Sequence, residues 1–273
     1  MQNKLNKYPS LTKSYKNYYS FKIGTTSFIY PDLYVPNVRM LGPFVDEIEL
    51  LLFESGPVAS LLSKAVIKDL MHLSQDLQVS YNIHLPTDIS ISDPAPALQD
   101  QAVDTLVRIL ERVAPLSPSS HTLHVPYPCQ VPDDTHLRKW QDVVYRNLEK
   151  IILAGGPADR LAIETLDYPI EQLESIITDL NLSVCLDVGH LILLGADIQS
   201  VFKNRSEAVS IIHLHGVENR KDHGPLDRLP HNLLDPVIRS LNKFSGTVSL
   251  EVFNFENLKS SLTVLEQRWN PEY

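Results

Sequence analysis

The sequence predicts a single α/β domain, a (β/α)8 TIM barrel, on three observations. Short apolar, β-branched runs recur eight times from Phe21 onward: FKIGTTSF, EIELLLF, VSYNIHL, HTLHVPY, RLAIETL, LSVCLDV, VSIIHLH and TVSLEVF. Longer segments with apolar residues three or four apart separate them, and about 250 residues hold the series, the usual length of such a barrel. The first run ends GTTSFIYP, with no GxGxxG, so the fingerprint of a doubly wound dinucleotide fold is missing.

Residues 1–20, MQNKLNKYPSLTKSYKNYYS, are polar and rich in Lys and Tyr; they read as a loose extension ahead of a barrel spanning 21–273. They lack the apolar stretch of a secretory signal, and no run in the chain is apolar for long enough to span a membrane. Cys129 and Cys185 have no metal-type spacing and make no disulfide framework. That usage suits a reducing compartment, and a cytoplasmic protein is expected. The formal charge is −9, so general attraction to a phosphate backbone is absent and nucleic acid is not the expected partner.

Taken in order, the strands place metal-ligand residue types at their C-terminal ends, where a barrel carries its function. The second run ends in Glu54, the third in His84 and the fourth in His124. The segment PALQDQAVDTLVRILERVAPL between the last two has helical spacing. In the next helix Leu137, Trp140, Val144, Leu148 and Ile151 form one apolar face, with Asp133 or Asp134 before it and Gly155-Gly156-Pro157 after it. Glu164 ends the fifth strand. Asp187 ends the sixth, and His190 stands in the turn beyond. His213 and His215 lie on the seventh, Asp222 and His223 follow in its loop, and Glu251 closes the eighth.

Each residue has a plainer explanation alone: Asp187 as a helix cap, His190 as a hydrogen-bonded core histidine, Asp222 as a turn residue. Convergence argues otherwise, because so many carboxylates and imidazoles at one mouth repel or go unpaired without a cation. Mixed imidazole and carboxylate donors suit Zn²⁺, Mn²⁺ or Fe²⁺ rather than Ca²⁺ or Mg²⁺. His72, His121, His136 and His231 read as structural or surface residues, His121 standing at the wrong end of its strand. Tyr30, Tyr127 and Tyr168 follow strand ends, where they either line a substrate or pack. No GxSxG elbow or cysteine nucleophile is apparent.

His84, His124, Glu164, LDVGH, IIHLHG, DHGPL and Glu251, in that order, resemble the xylose isomerase-like barrels, within them the apurinic endonuclease family 2 branch of endonuclease IV type. The resemblance covers nearly all of the chain from Phe21. It implies up to three zinc ions, with His84, His124, Asp187, His190, His213, Asp222 and His223 as ligands and Glu164 and Glu251 as bridging carboxylates. One departure stands out. The family separates its Asp and His by one residue, whereas Asp222 and His223 are adjacent, so both cannot face one ion in the usual geometry.

More narrowly, FKIGTTSFIYPDLYVPNVRMLGPFVDEIELLLFE and RKDHGPLDRL resemble the bacterial cobamide-remodelling phosphodiesterases. This implies hydrolysis of the cobamide nucleotide loop at its phosphoribosyl linkage, with two or three Zn²⁺ or Mn²⁺ ions activating water. Glu164, Glu251 and Asp187 would serve catalysis. Tyr30, Glu54, Tyr127, His215, Arg220 and Arg228 would meet the corrinoid or its phosphate, with Lys221 beside them, although a solvated loop also explains the basic residues. Two rivals remain open: a single-metal sugar isomerase or epimerase using Glu164, Asp187, His213 and Glu251, and a non-catalytic corrinoid- or metabolite-binding barrel.

Overall fold

Ten strands are present in the computed structural model of the chain, which describes residues 8–52, 62–128, 133–205 and 207–270. They are β1 (Lys22–Thr26), β2 (Glu47–Leu51), β3 (Ser80–His84), β4 (His121–Leu123), β5 (Leu161–Glu164), β6 (Ser183–Asp187), β7 (Val209–Leu214), β8 (Gly216–Glu218), β9 (Lys221–Gly224) and β10 (Thr247–Leu250). All but β8 and β9 close into one parallel barrel, in the order β1–β2–β3–β4–β5–β6–β7–β10 and back to β1. The eight runs read from the sequence are its strands. β8 and β9 form an antiparallel hairpin beyond β7.

Side chains alternate along every strand, as the period of two requires. Ile23, Ile48, Leu50, Tyr81, Ile83, Leu123, Ile163, Leu186, Ile212 and Val248 belong to the main apolar core. Helices α1 (Tyr34–Leu41), α2 (Lys64–Leu77), α3 (Pro96–Val113), α4 (Asp134–Leu153), α5 (Glu174–Asp179), α6 (Val188–Leu194), α7 (Ile198–Arg205), α8 (His231–Leu241) and α9 (Phe255–Arg268) alternate with the strands. The face read on α4 is the buried one over Trp140, Val144, Leu148 and Ile151, and its N-cap is Asp133, which accepts from the Thr135 and His136 amides.

The other strand face is mostly polar. Ala162, Cys185 and Ile211 form a separate small apolar cluster, with polar side chains nearer both strand ends. Cys185 is a free, buried thiol; Cys129 lies outside the described residues. Near the N-terminal ends of the strands the buried Glu47 accepts from Asn82 Nδ2 at 3.0 Å, Ser119 Oγ at 2.7 Å, Thr247 Oγ1 at 2.8 Å and Ser80 Oγ at 2.6 Å. These donors tie β3, β10 and the loop before β4 to a single carboxylate on β2. Glu47→Ala strands them in a buried site and is expected to lower unfolding free energy by about 3 kcal/mol. Denaturant titration checks this; stability within 1 kcal/mol of the parent would show that water replaces the carboxylate.

Residues 8–20 are packed, contrary to the loose extension expected. Leu11, Tyr15 and Tyr19 are buried, and Tyr19 stacks on Phe21 and meets Trp269 edge-on. Apolar side chains spread among lysines and serines conceal this in the sequence, because their partners lie at the other end of the chain.

Candidate metal centre

The inward positions at the C-terminal ends of six barrel strands bring His84, His124, Glu164, Asp187, His213 and Glu251 to one mouth. Glu164 is central and almost wholly buried. Its Oε2 lies 2.8 Å from His124 Nε2 and 3.4 Å from His84 Nε2. Its Oε1 faces the opposite way, 3.4 Å from His190 Nδ1 and 3.8 Å from His213 Nδ1. His213 Nδ1 is also 3.7 Å from Asp187 Oδ2 and 3.2 Å from Glu251 Oε2.

Asp187 fills the plainer role read from the sequence with one oxygen only. Its Oδ1 caps α6 by accepting from the His190 amide at 2.7 Å, while Oδ2 points into the centre. The cap also swings His190 over the mouth, and Gly195, at φ 74°, ends the helix five residues later.

The ring nitrogens are sorted in advance. His84 Nδ1 lies 2.9 Å from the Leu85 carbonyl and His190 Nδ1 2.9 Å from that of Thr165. A ring donating its Nδ1–H to a carbonyl keeps the Nε2 lone pair free, the usual preparation of a metal-binding imidazole. His213 is reversed: its Nε2 lies 2.9 Å from Glu49 Oε1 and leaves Nδ1 toward the three carboxylates.

Charge and satisfaction point the same way. His124 Nε2, Glu164 Oε2, both ring nitrogens of His213, Glu49 Oε1 and Glu251 Oε2 are buried without an aligned hydrogen bond. Ligand atoms of Asp187, His213 and Glu251 lie within 4.8 Å of one another, as do those of His84, Glu164 and His213, and those of Glu164, Asp187 and His190. Burial disfavours a charged His84, but Glu164, Glu49 and Glu251 outweigh it and push its pKa up to about 9. Against their own burial, His124 and its neighbours hold Glu164 well below the usual carboxylate range, and His213 does the same for Glu251. The carboxylates therefore favour the protonated forms of His84 and His213 wherever no cation balances them. These donors fit one or more divalent transition ions.

A family model described as "Xylose isomerase-like TIM barrel" matches residues 38–269. The chain belongs to this family. No curated protein matches it. Among solved structures, a D-tagatose 3-epimerase-like protein is 18% identical with a TM-score of 0.76, over 91% of this chain and 97% of the other. Endonuclease IV from Thermus thermophilus is 18% identical with a TM-score of 0.69, over 90% and 99%. The IOLI protein, with a binding zinc atom, is 17% identical with a TM-score of 0.68, over 91% and 95%. At these identities the likeness is one of fold.

Within this xylose isomerase-like barrel the expected substrate contacts fare unevenly. Arg220 lies near the tip of the β8–β9 hairpin and lines a cavity of about 570 Å³ with His124, Leu166, His190, Leu194 and Asp222. Tyr30 does not fit the expected contact: it is buried, its hydroxyl donates to the Pro9 carbonyl, and it stacks against Tyr8 and Phe255. Tyr127 is half-buried in an aromatic cluster with Trp140 and Tyr168. Arg228 is paired with Glu218 at 3.2 Å and does not line that cavity. Glu54 lies outside the described residues.

His215 is also misplaced for substrate, being fully buried with Nε2 3.1 Å from Asp187 Oδ2. Asp222 and His223 touch each other, Oδ1 to Nδ1 at 3.0 Å, but their other atoms reach different partners. Asp222 Oδ2 lies 3.8 Å from His190 Nε2, whereas His223 Nε2 lies 3.4 Å from Glu251 Oε2.

The residue that the sequence reading missed is Glu49. It sits inside β2 rather than at its end, fully buried, and accepts from Ser249 Oγ at 2.6 Å. The signal was the pair Glu47 and Glu49, two carboxylates at strand period between isoleucine and leucine. Glu49→Gln keeps the shape, removes the charge behind His213, and is expected to weaken metal binding about tenfold. Competition titration against a chelating dye checks this; unchanged affinity would reduce Glu49 to a core residue.

Proposed function

We propose that the chain is a metal-dependent phosphodiesterase that opens the nucleotide loop of cobamides at the phosphoribosyl linkage. One observation carries the hydrolytic reading: Glu164 offers one oxygen to His84 and His124 and the other to the side of His190 and His213. A single-ion centre needs only one of these groups; a bridging carboxylate between two ions needs both. Zn²⁺ or Mn²⁺ bound there would supply water activation and neutralise charge on the leaving oxygen.

The chain's own residues do the rest. Glu164 and Glu251 hold negative charge at neutral pH and fix the imidazoles around the reacting phosphate. Arg220 faces the cavity from the hairpin and supplies the cation for a phosphodiester oxygen. Leu166, Leu193 and Leu194 form an apolar wall beside His124 and His190, suited to the nucleoside or the corrinoid edge. The acidic chain supports a single phosphodiester on a large cofactor over a polymer. The corrinoid itself rests on the resemblance of the segments 21–54 and 220–229.

The test is incubation of purified protein, loaded with Zn²⁺ or Mn²⁺, with an adenosylated cobamide, following the corrinoid spectrum and products. Metal-dependent release of the lower-ligand riboside is expected, and a chelated sample should be inactive. A second reading has its own support. Donor atoms of Asp187, His213 and Glu251 lie within 4.8 Å of one another, with Glu164 Oε1 3.8 Å from His213 Nδ1, enough for one ion, and epimerases recur among the similar structures. In that case the chain is a sugar epimerase. One ion per chain by metal analysis, with ketose epimerisation and an intact cobamide, would establish it.

A further inference from the structure

We infer that His215 is a positioning residue that latches the β8–β9 hairpin to Asp187, joining the inner and outer parts of the metal centre through one imidazole. The inference rests on the multi-ion reading above.

Four contacts define the latch. His215 Nε2 lies 3.1 Å from Asp187 Oδ2. The His223 amide donates to His215 Nδ1 at 2.9 Å. The two rings stack at 4.5 Å and 27°. The fourth contact is made by Gly189 in LDVGH: a Cβ there would stand 2.0 Å from His215 Cε1. The glycine is therefore the floor on which the ring lies, and α6 approaches β7 closely because it has no side chain.

The protonation pattern follows from the shorter contact. Gly216 O is 3.3 Å from Nδ1, farther than the His223 amide, which requires a lone pair on Nδ1. A neutral ring then carries its proton on Nε2 and donates it to Asp187. With Nε2 protonated, His215 is no ligand, although it lies within 4.8 Å of His223 and Glu251 donor atoms.

Asp187 is thus held at both oxygens, by the His190 amide and by His215, and the same ring sets the hairpin that carries Arg220, Asp222 and His223. One imidazole therefore ties the hairpin to the inner ligand.

Two substitutions split the latch. His215→Gln places an amide where Nε2 stood, keeping the donor to Asp187 and releasing the hairpin. His215→Asn places an oxygen where Nδ1 stood, keeping the acceptor for the His223 amide and releasing Asp187. Hydrogen exchange on the zinc-loaded proteins reads the hairpin, and Co²⁺ titration followed by visible absorption reads the ions in order of affinity. His223 amide exchange should rise about tenfold or more in His215→Gln and stay near the parent in His215→Asn. The first ion should weaken about tenfold in His215→Asn, and only a later ion in His215→Gln. Core strand amides report whether each variant folds, and a variant that does not fold leaves the other to decide. Equal exchange and equal titrations in all three proteins would overturn the latch. A parent that binds one ion while the exchange pattern holds would overturn the multi-ion reading and leave the latch standing.

Discussion

On the phosphodiesterase reading proposed above, Glu164→Gln is expected to lower metal-dependent hydrolysis by at least about a thousandfold and to remove at least one ion per chain. The substitution keeps the volume and one carbonyl oxygen, so packing changes little. The charge is what goes. His84 and His124 have Glu164 Oε2 as the nearest carboxylate oxygen, and a carboxamide there neither bridges two cations nor balances the imidazoles when none is bound. Lost stabilisation of several kcal/mol at the reacting phosphate corresponds to that loss in rate. Metal analysis and single-turnover assays check it together. Parental metal content with parental rate would remove Glu164 from the centre, and loss of rate with all ions retained would make it a base rather than a bridge.

Metal affinity is expected to rise about 100-fold between pH 6 and pH 8. The ordinary histidine pKa is near 6.5, whereas His84 in the cation-free fold sits at about 9. Over that window His84 is an imidazolium, and an ion binding there must displace its proton. One displaced proton costs tenfold in apparent affinity per pH unit. Glu164 and Glu251 are held well below their usual range, already ionised at pH 6, and add no opposing slope.

The same linkage acts on stability. A raised histidine stabilises the cation-free fold fully below about pH 6.5, and that contribution is lost as pH rises through about 9. The loaded protein should lack this decline. Zinc titration calorimetry in buffers of differing ionisation heat measures the protons released; none released, with pH-independent affinity, would mean that His84 is not a ligand.

Much of the mouth was legible because a barrel turns sequence order into position. A polar residue that ends an apolar run in a parallel strand faces the mouth, and His84, Glu164 and Asp187 are such residues. His213 and His215 show the limit of that rule. Both share one parity, yet His213 reaches Glu49, Glu164 and Glu251 as well as Asp187, while His215 lies on Gly189 and pairs with Asp187 and the hairpin. Tyr30 fails for a similar reason, since stacking with Tyr8 and Phe255 takes it away from the mouth.

By itself the sequence determined the barrel, its strand boundaries to within a few residues, the helix cap at Asp133 and the set of donors at the strand ends. Each of these follows from local periodicity or from parity along a single strand. Only the tertiary structure decided which nitrogen of each histidine faces the centre, that Glu49 backs His213, that Asp222 reaches His190 while His223 reaches Glu251, and that residues 8–20 pack. These depend on contacts between residues far apart in the chain, such as Glu49 with His213 and Ser249, and no pattern within one element encodes a partner carried by another.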